Sequence, residues 1–350
     1  MSQIPSGFRE KRRSRTVTLQ DVANVAGVTS MTVSKVIKGK GNISTATREK
    51  VLRVAEELNY TANLAARTLA TGRTGIIAVI CGELDQAYYA NMVSLLQAQM
   101  LCSGYEMRLL HKESELKDLL NATKTSAVDG VIVSGAHDLS EKPEFLNSEL
   151  SQHCVFLDTF EHPNTDYVRI DLREGVQEAI EHMITLGRQR IAYVGVSNAT
   201  EFDPSWAVED RLRTYLATIN KANKNHEFIN SRPRIDMTRE ERIDAIKLYF
   251  ERHGCPDGLV CLHGEIAMLA FRALREYGCR VPEDVLVVGG DDVPFMECFA
   301  PSLSAVAHPL EEACVLTWQF LQARINNSSL PLQQKTCKAK LVVRESLQSR

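Results

Sequence analysis

The sequence contains no apolar run long enough to cross a membrane. Its best apolar run, residues 75–81, falls far short of the ~18 residues that span a bilayer and predicts a buried strand instead. Residues 1–15 are polar and basic and lack the apolar segment of a secretory signal. These two absences exclude a membrane-spanning protein, and we expect the chain to stay in the cytoplasm.

Cysteine pairs with metal-site spacing are also missing. Nine cysteines lie between Cys81 and Cys337 and none forms a C-x-x-C pair, so we expect small buried side chains in a reducing compartment. The sequence has no phosphate loop, G-x-G-x-x-G, G-x-S-x-G or H-E-x-x-H motif, and His226-Glu227 has no second histidine. We therefore predict no metal site, no cofactor and no catalytic residue, and we expect that the protein is not an enzyme.

Charge is distributed unevenly along the 350 residues, which are too many for one small core. Residues 1–74 contain 13 Lys/Arg and 5 Asp/Glu, a balance of +8. The whole chain contains 41 Lys/Arg and 44 Asp/Glu, so residues 75–350 contain 28 Lys/Arg and 39 Asp/Glu, a balance of -11. A basic head on an acidic body is typical of a nucleic-acid-binding module carried by a body with another role.

The basic head has the spacing of three short helices. The first begins behind Thr18, a capping residue, and ends at Gly27; the second covers residues 30–37 and the third runs from Thr45 to about Leu58. Two short helices across a glycine turn, the second starting with short polar residues, are typical of a helix-turn-helix that enters the DNA major groove. A helical bundle whose basic residues form a solvated face is the alternative.

From residue 75 onward, short apolar runs alternate with amphipathic stretches. This alternation predicts parallel sheets with helices on both faces, and the number of repeats predicts two lobes. The predicted strands are residues 75–81, 105–110, 130–134, 154–158, 190–195, 258–262 and 285–289. The predicted helices between them are residues 89–101, 175–186, 207–219, 241–250 and 266–277, and a helix at 310–325 and a strand at 339–343 then cross back between the lobes.

Polar residues stand where predicted strands end. Asp158 closes one strand, Asp291 follows another, and Arg211 begins the helix after the strand that ends at Gly195. Ligands of open α/β sheets bind beyond the carboxyl ends of the strands, and carboxylates with a guanidinium can bind sugar hydroxyls. Taken alone, each of these residues is more often a helix cap or a surface ion pair than a ligand-binding residue.

Residues 17–60 resemble the headpiece of the lactose/galactose-repressor (LacI/GalR) family. The matched runs are Asp21-Val22-Ala23, Ala26-Gly27-Val28, Thr32-Val33-Ser34, Thr47-Arg48-Glu49-Lys50-Val51 and Leu58-Asn59-Tyr60. The body matches the effector core of the same family at His182, Leu186-Gly187, Arg190-Ile191-Ala192, Val194-Gly195, Val281-Pro282-Glu283-Asp284-Val285, Val288-Gly289, Asp291-Asp292 and Pro301-Ser302-Leu303. The resemblance covers residues 17 to about 345.

The resemblance implies an all-α helix-turn-helix headpiece followed by an α/β, two-lobed, periplasmic-binding-protein-like core of parallel sheets flanked by helices. We expect a basic, disordered arm at residues 1–16, the headpiece at 17–60 and a hinge at 61–74. The N-terminal lobe is expected at 75–171 and 304–333, and the C-terminal lobe at 172–303 and 334–350.

The resemblance also implies which residues contact double-stranded DNA. The residues expected to contact base edges are Ser30, Met31 and Lys35. Those expected to contact phosphates are Thr32, Ser34, Asn42, Ser44 and Thr47. The hinge contributes Asn63 and Leu69, and the leucine is expected to wedge into the minor groove. Many relatives carry arginine at the position of Lys35, and lysine lacks the bidentate fork, so a softer base preference is expected.

The implied effector site lies between the lobes. Its predicted residues are Gln86, Tyr88, Asp158, Arg211, His263 and Asp291. The usual Asn-Asp pair of the family is His263-Gly264 here, and its Asn-Pro-Phe-Tyr run is Gln86-Ala87-Tyr88-Tyr89. A sugar is the first choice of effector because Arg211, Asp158 and Asp291 keep the residue types of the family's effector site. A sugar acid or sugar phosphate is the alternative if His263 is cationic, and His263 is equally readable as a neutral packing residue.

The sequence therefore predicts a repressor of carbohydrate-utilisation genes, a homodimer on a palindromic operator that is controlled by a small effector. The chain ends without a heptad tail, so a dimer is expected rather than a tetramer held by a coiled coil. A sugar-processing enzyme and a solute-binding receptor are the competing functions. A DNA-reading head argues against both, and whether the effector is an inducer or a corepressor stays open.

Overall fold

The computed structural model describes residues 17–37, 43–58, 72–110, 128–135, 139, 142–158, 160–162, 164–197, 210–234 and 236–348. The predictions for residues 1–16, Asn42, Asn63 and Leu69 lie outside these ranges. The chain divides into two compact units, Met1–Thr74 and Gly75–Arg350.

Three helices form the first unit: α1 (Leu19–Ala26), α2 (Ser30–Ile37) and α3 (Thr45–Glu57). Helix α1 begins with a capping box, in which the Asp21 amide donates to Thr18 Oγ1 and the Thr18 amide donates to the Asp21 carboxylate. It ends at Gly27, whose φ of 65° is in the left-handed region that favours glycine. The turn into α2 therefore follows from local chemistry.

A small apolar core holds the three helices together. Its fully buried side chains come from all three helices and are Val22, Ala23, Ala26, Val33, Val36, Val51 and Val54. These positions recur at helical spacing, so each helix buries one apolar stripe and leaves its polar face to solvent. The three helices predicted from the spacing are confirmed.

Two six-stranded sheets form the second unit. The first has the order β11-β5-β4-β3-β1-β2, and all of its pairs are parallel. The second has the order β12-β10-β9-β8-β6-β7 and is parallel except for the antiparallel pair of β12 with β10. The strands are β1 (Ile76–Ile80), β2 (Glu106–Leu110), β3 (Gly130–Val133), β4 (Cys154–Asp158), β5 (Asp166–Asp171), β6 (Ile191–Gly195), β7 (Glu227–Asn230), β8 (Gly258–Cys261), β9 (Leu286–Gly290), β10 (Ser304–Ala307), β11 (Gln334–Lys338) and β12 (Lys340–Val342).

Helices cover these sheets, as the alternating pattern predicts. They are α4 (Ala87–Cys102), α5 (Pro143–Leu146), α6 (Arg173–Thr185), α7 (Asp210–Lys221), α8 (Arg239–His253), α9 (Gly264–Tyr277) and α10 (Leu310–Asn326). Short 3₁₀ turns lie at Glu149–His153, Pro294–Cys298 and Glu345–Leu347. Across the described part of the chain, none of the helices combines the length and apolarity that a membrane crossing requires.

The predicted lobe boundaries near the C-terminus need correction. Residues 304–333 were assigned to the N-terminal lobe, but β10 (304–307) pairs with β9 in the second sheet. Residues 334–350 were assigned to the other lobe, but β11 (334–338) pairs in parallel with β5 in the first sheet. The chain therefore crosses after β10 and again between β11 and β12.

Four observed strands, β5, β7, β10 and β11, are absent from the predicted ones, and each lies at or next to a sheet edge. Strand β11 reads QKTCK and buries only Cys337, and the outer strand β7 is mostly half-buried. Strand β5 reads DYVRID, and its charged residues are buried through ion pairs rather than replaced by apolar residues. Apolar alternation therefore gives no signal for β5, β7 or β11, and β10 reads SAVA, which is too short to show a period.

A buried ion pair joins α10 to β5. The Arg324 guanidinium donates from Nε and Nη2 to the two oxygens of Asp166, at 2.9 and 2.7 Å. It also donates to the carbonyls of Ser328, Leu330 and Pro331, and the Gln333 amide donates to Asp166. These bonds shape the turn after α10 and direct the following residues into β11 beside β5.

We expect Asp166→Asn to destabilise the second unit by about 3–5 kcal/mol, because it leaves the Arg324 guanidinium buried without its counter-charge. The side chains of the pair are only 2% and 8% exposed. Urea unfolding followed by circular dichroism measures the loss. The matched control is Glu174→Gln, which breaks the exposed Lys338–Glu174 pair and should leave the midpoint unchanged. Equal losses in both variants would contradict the assigned role of Asp166.

Candidate functional site

Helix α2 presents the side chains that the sequence analysis assigned to DNA bases. Met31 is 69% exposed and Lys35 is also exposed, while Ser30, Thr32 and Ser34 are half-buried. The apolar residues Val33 and Val36 point into the small core. One face of α2 is therefore committed to packing, and the other presents a thioether, a lysine and short hydroxyls to the outside.

Three of the hydroxyls assigned to phosphates, those of Thr32, Ser44 and Thr47, take part in the contacts that cap α2 and α3. Thr29 Oγ1 accepts from the Thr32 amide and contacts Thr32 Oγ1 at 2.9 Å. Ser44 Oγ accepts from the Thr47 amide and contacts Thr47 Oγ1 at 2.8 Å. A hydroxyl carries one donor and two acceptor sites, so a capping hydroxyl keeps capacity for a phosphate oxygen. These contacts also fix the hydroxyls in place beside the amino ends of α2 and α3.

In the second unit, the ends of β8 and β9 approach each other closely. A Cβ atom at Gly290, the last residue of β9, would lie 2.9 Å from the Leu262 carbonyl oxygen, so only glycine fits there. The next residue, Asp291, has a φ of 78°, a left-handed conformation that non-glycine residues rarely adopt. This backbone turns the Asp291 carboxylate toward the amino end of α9.

An amide, a guanidinium and an imidazole surround the Asp291 carboxylate. The Gly264 amide donates to its Oδ2 at 3.2 Å. Arg211 Nη1 lies 3.9 Å from Oδ1 and donates to the Leu262 carbonyl at 2.5 Å. His308 Nε2 lies 3.6 Å from the same Oδ1, and the His308 ring meets Tyr88 edge to face. The carboxylate is thus held at the carboxyl end of β9, where ligands of parallel sheets bind.

His263 caps α9 with its ring. Its Nδ1 accepts from the Ile266 amide at 3.4 Å, so Nδ1 carries no proton in this arrangement. Burial lowers the pKa of His263; the Asp291 carboxylate opposes this, and the Arg211 guanidinium, with a smaller effect than Asp291, acts with burial. His263 is therefore a neutral capping residue, as one of the two readings from the sequence has it.

A cavity of about 300 Å³ opens beside these groups. Four of the six predicted effector residues line it: Gln86, Tyr88, His263 and Asp291. Arg211 does not line the cavity, but its Nη1 lies 3.9 Å from Asp291 Oδ1, and Asp291 does line it. Asp158 ends β4 in the first sheet, and its role stays a prediction. Within the described ranges, no cluster of His, Cys, Asp or Glu could hold a metal ion.

Sequence reasoning missed several lining residues. They are Asp85, Ala87, Arg239, Gly264, Glu265, Met268, Val293 and Phe295. Asp85 and Glu265 are sequence neighbours of predicted residues, so their position beside the motifs was an available signal. Arg239 begins α8 and Phe295 lies in the turn after β9, and nothing local marks either one.

Carboxylates outnumber cations among the lining residues. Asp85, Glu265 and Asp291 face one guanidinium, that of Arg239. Glu265 lies 3.3 Å from Arg239 Nε and 3.5 Å from Arg242 Nη1, so arginine charge stabilises it at the wall. Tyr88 and Phe295 add aromatic surface. This lining accepts hydrogen bonds from hydroxyl groups and offers flat apolar faces to a ring.

Two family models match the chain. The model described as "Bacterial regulatory proteins, lacI family" matches residues 18–63, and "Periplasmic binding protein-like domain" matches residues 180–347. The HTH-type transcriptional regulator CelR of Thermobifida fusca is 31% identical over 344 residues, covering 95% of this chain and 99% of its own length. The ribose operon repressor of Halalkalibacterium halodurans is 27% identical over 333 residues, covering 94% and 96%.

Solved structures resemble the chain over nearly its whole length. A transcriptional regulator CelR–cellobiose complex has a TM-score of 0.64 at 27% identity and covers 94% of this chain and 99% of its own. The lac repressor dimer bound to operator and the anti-inducer ONPF has a TM-score of 0.74 at 21% identity, covering 96% and 100%. At that lower identity the second match shows the shared fold alone.

We expect the variant His263→Asn to remove an acid-induced loss of stability. In the unfolded chain this histidine takes up a proton near its ordinary pKa of about 6.5, whereas in the folded protein its pKa is lower. Folded protein is therefore disfavoured as the pH falls below about 6.5, by at most about 1.4 kcal/mol per pH unit. Wild type should lose stability relative to His263→Asn between pH 7.5 and 5.5.

Thermal unfolding of both proteins at each pH measures this difference. His226→Asn, at an exposed histidine outside the cavity, is the matched control and should follow the wild-type curve. Parallel curves for wild type and His263→Asn would show that His263 is not held neutral by the fold.

Proposed function

Because this chain belongs to the lacI family of bacterial regulatory proteins, we propose that it represses carbohydrate-utilisation genes as a homodimer on a palindromic operator. A small neutral sugar, bound in the cavity beside Asp291, is the proposed effector. The relatives support this, since one is a ribose operon repressor and another is a regulator in complex with cellobiose. The chain is a transcriptional regulator; the operator, the dimer and the effector are the parts that we propose.

The outward face of α2 carries the DNA-binding part of the proposal. An exposed Met31 and Lys35 stand on the helix that follows the glycine turn, in a unit whose charge balance is +8 from 13 Lys/Arg and 5 Asp/Glu in residues 1–74. A recognition helix of this kind enters the major groove, where lysine can donate to guanine and a thioether can contact a thymine methyl group. The half-buried hydroxyls beside them are suited to phosphates.

A two-fold dimer follows from the way such headpieces read DNA. One headpiece covers only a few base pairs, and two copies related by a dyad read half-sites about 10 base pairs apart. The lac repressor structure is itself a dimer on its operator. We infer the same arrangement here, and we expect the selected operator to be a palindrome.

We choose the effector class from the charges and aromatic rings of the residues that line the cavity. The three lining carboxylates are balanced by Arg239 at the wall and by Arg211 and Arg242 behind it, and a neutral His263 adds no positive charge, so the cavity offers no excess cation to a phosphate or a sugar acid. The same carboxylates accept hydrogen bonds from sugar hydroxyls, and the Tyr88 and Phe295 rings offer apolar faces to the sugar ring. A neutral sugar is therefore favoured over the anionic alternatives.

Regulation requires that the sugar binds two arrangements of the protein unequally. An effector changes operator affinity only through its differential affinity for the DNA-bound and DNA-free states. We propose that the sugar is an inducer, which favours the DNA-free state. By the same linkage, operator DNA should weaken sugar binding by the same factor.

Selection of genomic fragments with the full-length protein tests the DNA-binding role. We expect enrichment of one palindrome, and we expect Lys35→Ala to lose about 1–3 kcal/mol of discrimination for that site over random DNA. Arg53→Ala removes the same charge from the exposed face of α3 and should lower both affinities alike. Fluorescence anisotropy at fixed salt measures both. No enrichment, or identical losses in the two variants, would overturn the proposal.

A thermal-shift screen against neutral sugars, sugar acids and sugar phosphates tests the effector. A neutral sugar at ~100 times its dissociation constant should add roughly 2.7 kcal/mol of apparent stability. Asp291→Asn should weaken that sugar by about 1.5–3 kcal/mol, the range for a hydrogen bond to a charged group. Asp284→Asn, at an aspartate outside the cavity, is the control and should bind as wild type. Stabilisation by phosphorylated sugars only would refute the neutral-sugar assignment.

A further inference from the structure

Two cysteines lie close together at the edge of the second sheet that faces away from the cavity. Cys255 stands between the end of α8 at His253 and the start of β8 at Gly258. Cys279 stands between the end of α9 at Tyr277 and the start of β9 at Leu286. Because β8 and β9 are parallel neighbours and α8 packs on α9, the two helix-to-strand connections run side by side.

The two thiols lie within reach of each other, since the Cys279 side chain, after burial, raises the pKa of the Cys255 thiol. Both side chains pack against the same apolar cluster of the second sheet, and both are only partly buried. Their surroundings differ from those of Cys81, Cys154, Cys261, Cys314 and Cys337, which are buried. Cys255 and Cys279 therefore combine a close approach of two sulfur atoms with access for a small solvent-borne oxidant.

We propose that Cys255 and Cys279 form a reversible intramolecular disulfide when the protein meets a hydroperoxide. The Cys279 sulfur attacks one peroxide oxygen, the O–O bond breaks, and the products are a sulfenic acid and water. The Cys255 sulfur then attacks the Cys279 sulfur and displaces hydroxide, which takes the Cys255 proton and leaves as a second water. Two thiols are oxidised to one disulfide, and one hydroperoxide is reduced with the release of water (and, for an organic peroxide, its alcohol).

The order of the two steps follows from the surroundings of Cys255. Burial and the neighbouring Cys279 thiol raise the pKa of Cys255, which leaves it mostly protonated and a poor first nucleophile. Cys255 is therefore assigned the second step, in which its sulfur has only to approach the Cys279 sulfur beside it. A dithiol reductant reverses the reaction by thiol–disulfide exchange.

This modification does not depend on the proposed effector. The cavity lies beyond the carboxyl end of β9, whereas Cys279 precedes its amino end. The five residues of β9 span roughly 15 Å at about 3.3 Å per residue. Oxidation of the pair can therefore be measured whether or not a sugar binds, and failure of either proposal leaves the other standing.

Peptide mapping of the full-length wild-type protein tests the proposal directly. Reduced protein is treated with hydrogen peroxide at pH 8, quenched with N-ethylmaleimide under denaturing conditions and digested with trypsin. Cleavage after arginine places Cys255 on peptide 253–272, together with Cys261, and Cys279 on peptide 276–280. We expect these two peptides joined by one disulfide, with fragmentation assigning the bond to Cys255, and their separation after treatment with dithiothreitol.

Single variants supply the control. Cys255→Ser and Cys279→Ser should each abolish the linked peptide, whereas Cys298→Ser, at an exposed cysteine elsewhere, should keep it. The oxidised wild type should also melt at a higher temperature than the reduced form, because the bond closes a loop in the unfolded chain. A linked peptide that persists in Cys255→Ser, over-oxidation of unlinked cysteines, or a fall in melting temperature on oxidation would overturn the proposal.

Discussion

The second unit depends on the buried ion pair between Arg324 and Asp166. The pair ties the end of α10 to the start of β5, and the carbonyls that Arg324 also holds shape the turn that leads into β11. Strand β11 then completes the first sheet, and β12, two residues later, completes the second. Each sheet thus takes its last strand from the far end of the chain. A buried charge pair costs desolvation, so its geometry must be well satisfied to hold this crossing in place.

The ends of β8 and β9 place the polar groups that line the cavity. Gly290 permits these strand ends to approach, the left-handed Asp291 turns its carboxylate inward, and the Gly264 amide at the amino end of α9 receives it. Helix amino termini favour negative charge, which stabilises a carboxylate that would otherwise be costly to bury. The result is a wall of fixed acceptors whose positions are set by the backbone, which is the arrangement that a polyhydroxylated ligand requires for selective recognition.

The two units divide the work that a regulator must do. The headpiece has its own apolar core and exposes the polar face of α2, while the second unit has a cavity at the carboxyl ends of its strands and a thiol pair at the amino ends of β8 and β9. Any ligand of the second unit can influence DNA binding only by favouring one arrangement of the whole protein over another. A sugar would act through Asp291 and an oxidant through Cys255 and Cys279, at opposite ends of the same strands. Substitutions at one set of residues would therefore separate the two effects on DNA binding.

The sequence alone determined the headpiece helices, the alternation of strands and helices, the family, and four residues that line one cavity. These features follow from local spacing, capping residues and motifs, which require no distant contact. The tertiary structure decided the rest. It assigned β10 and β11 to their sheets, because a polar edge strand such as QKTCK is recognised only by the backbone partner beside it. It also brought Arg239, Phe295 and His308 to the predicted site and made His263 neutral, because burial and proximity are properties of the folded chain and not of its spacing.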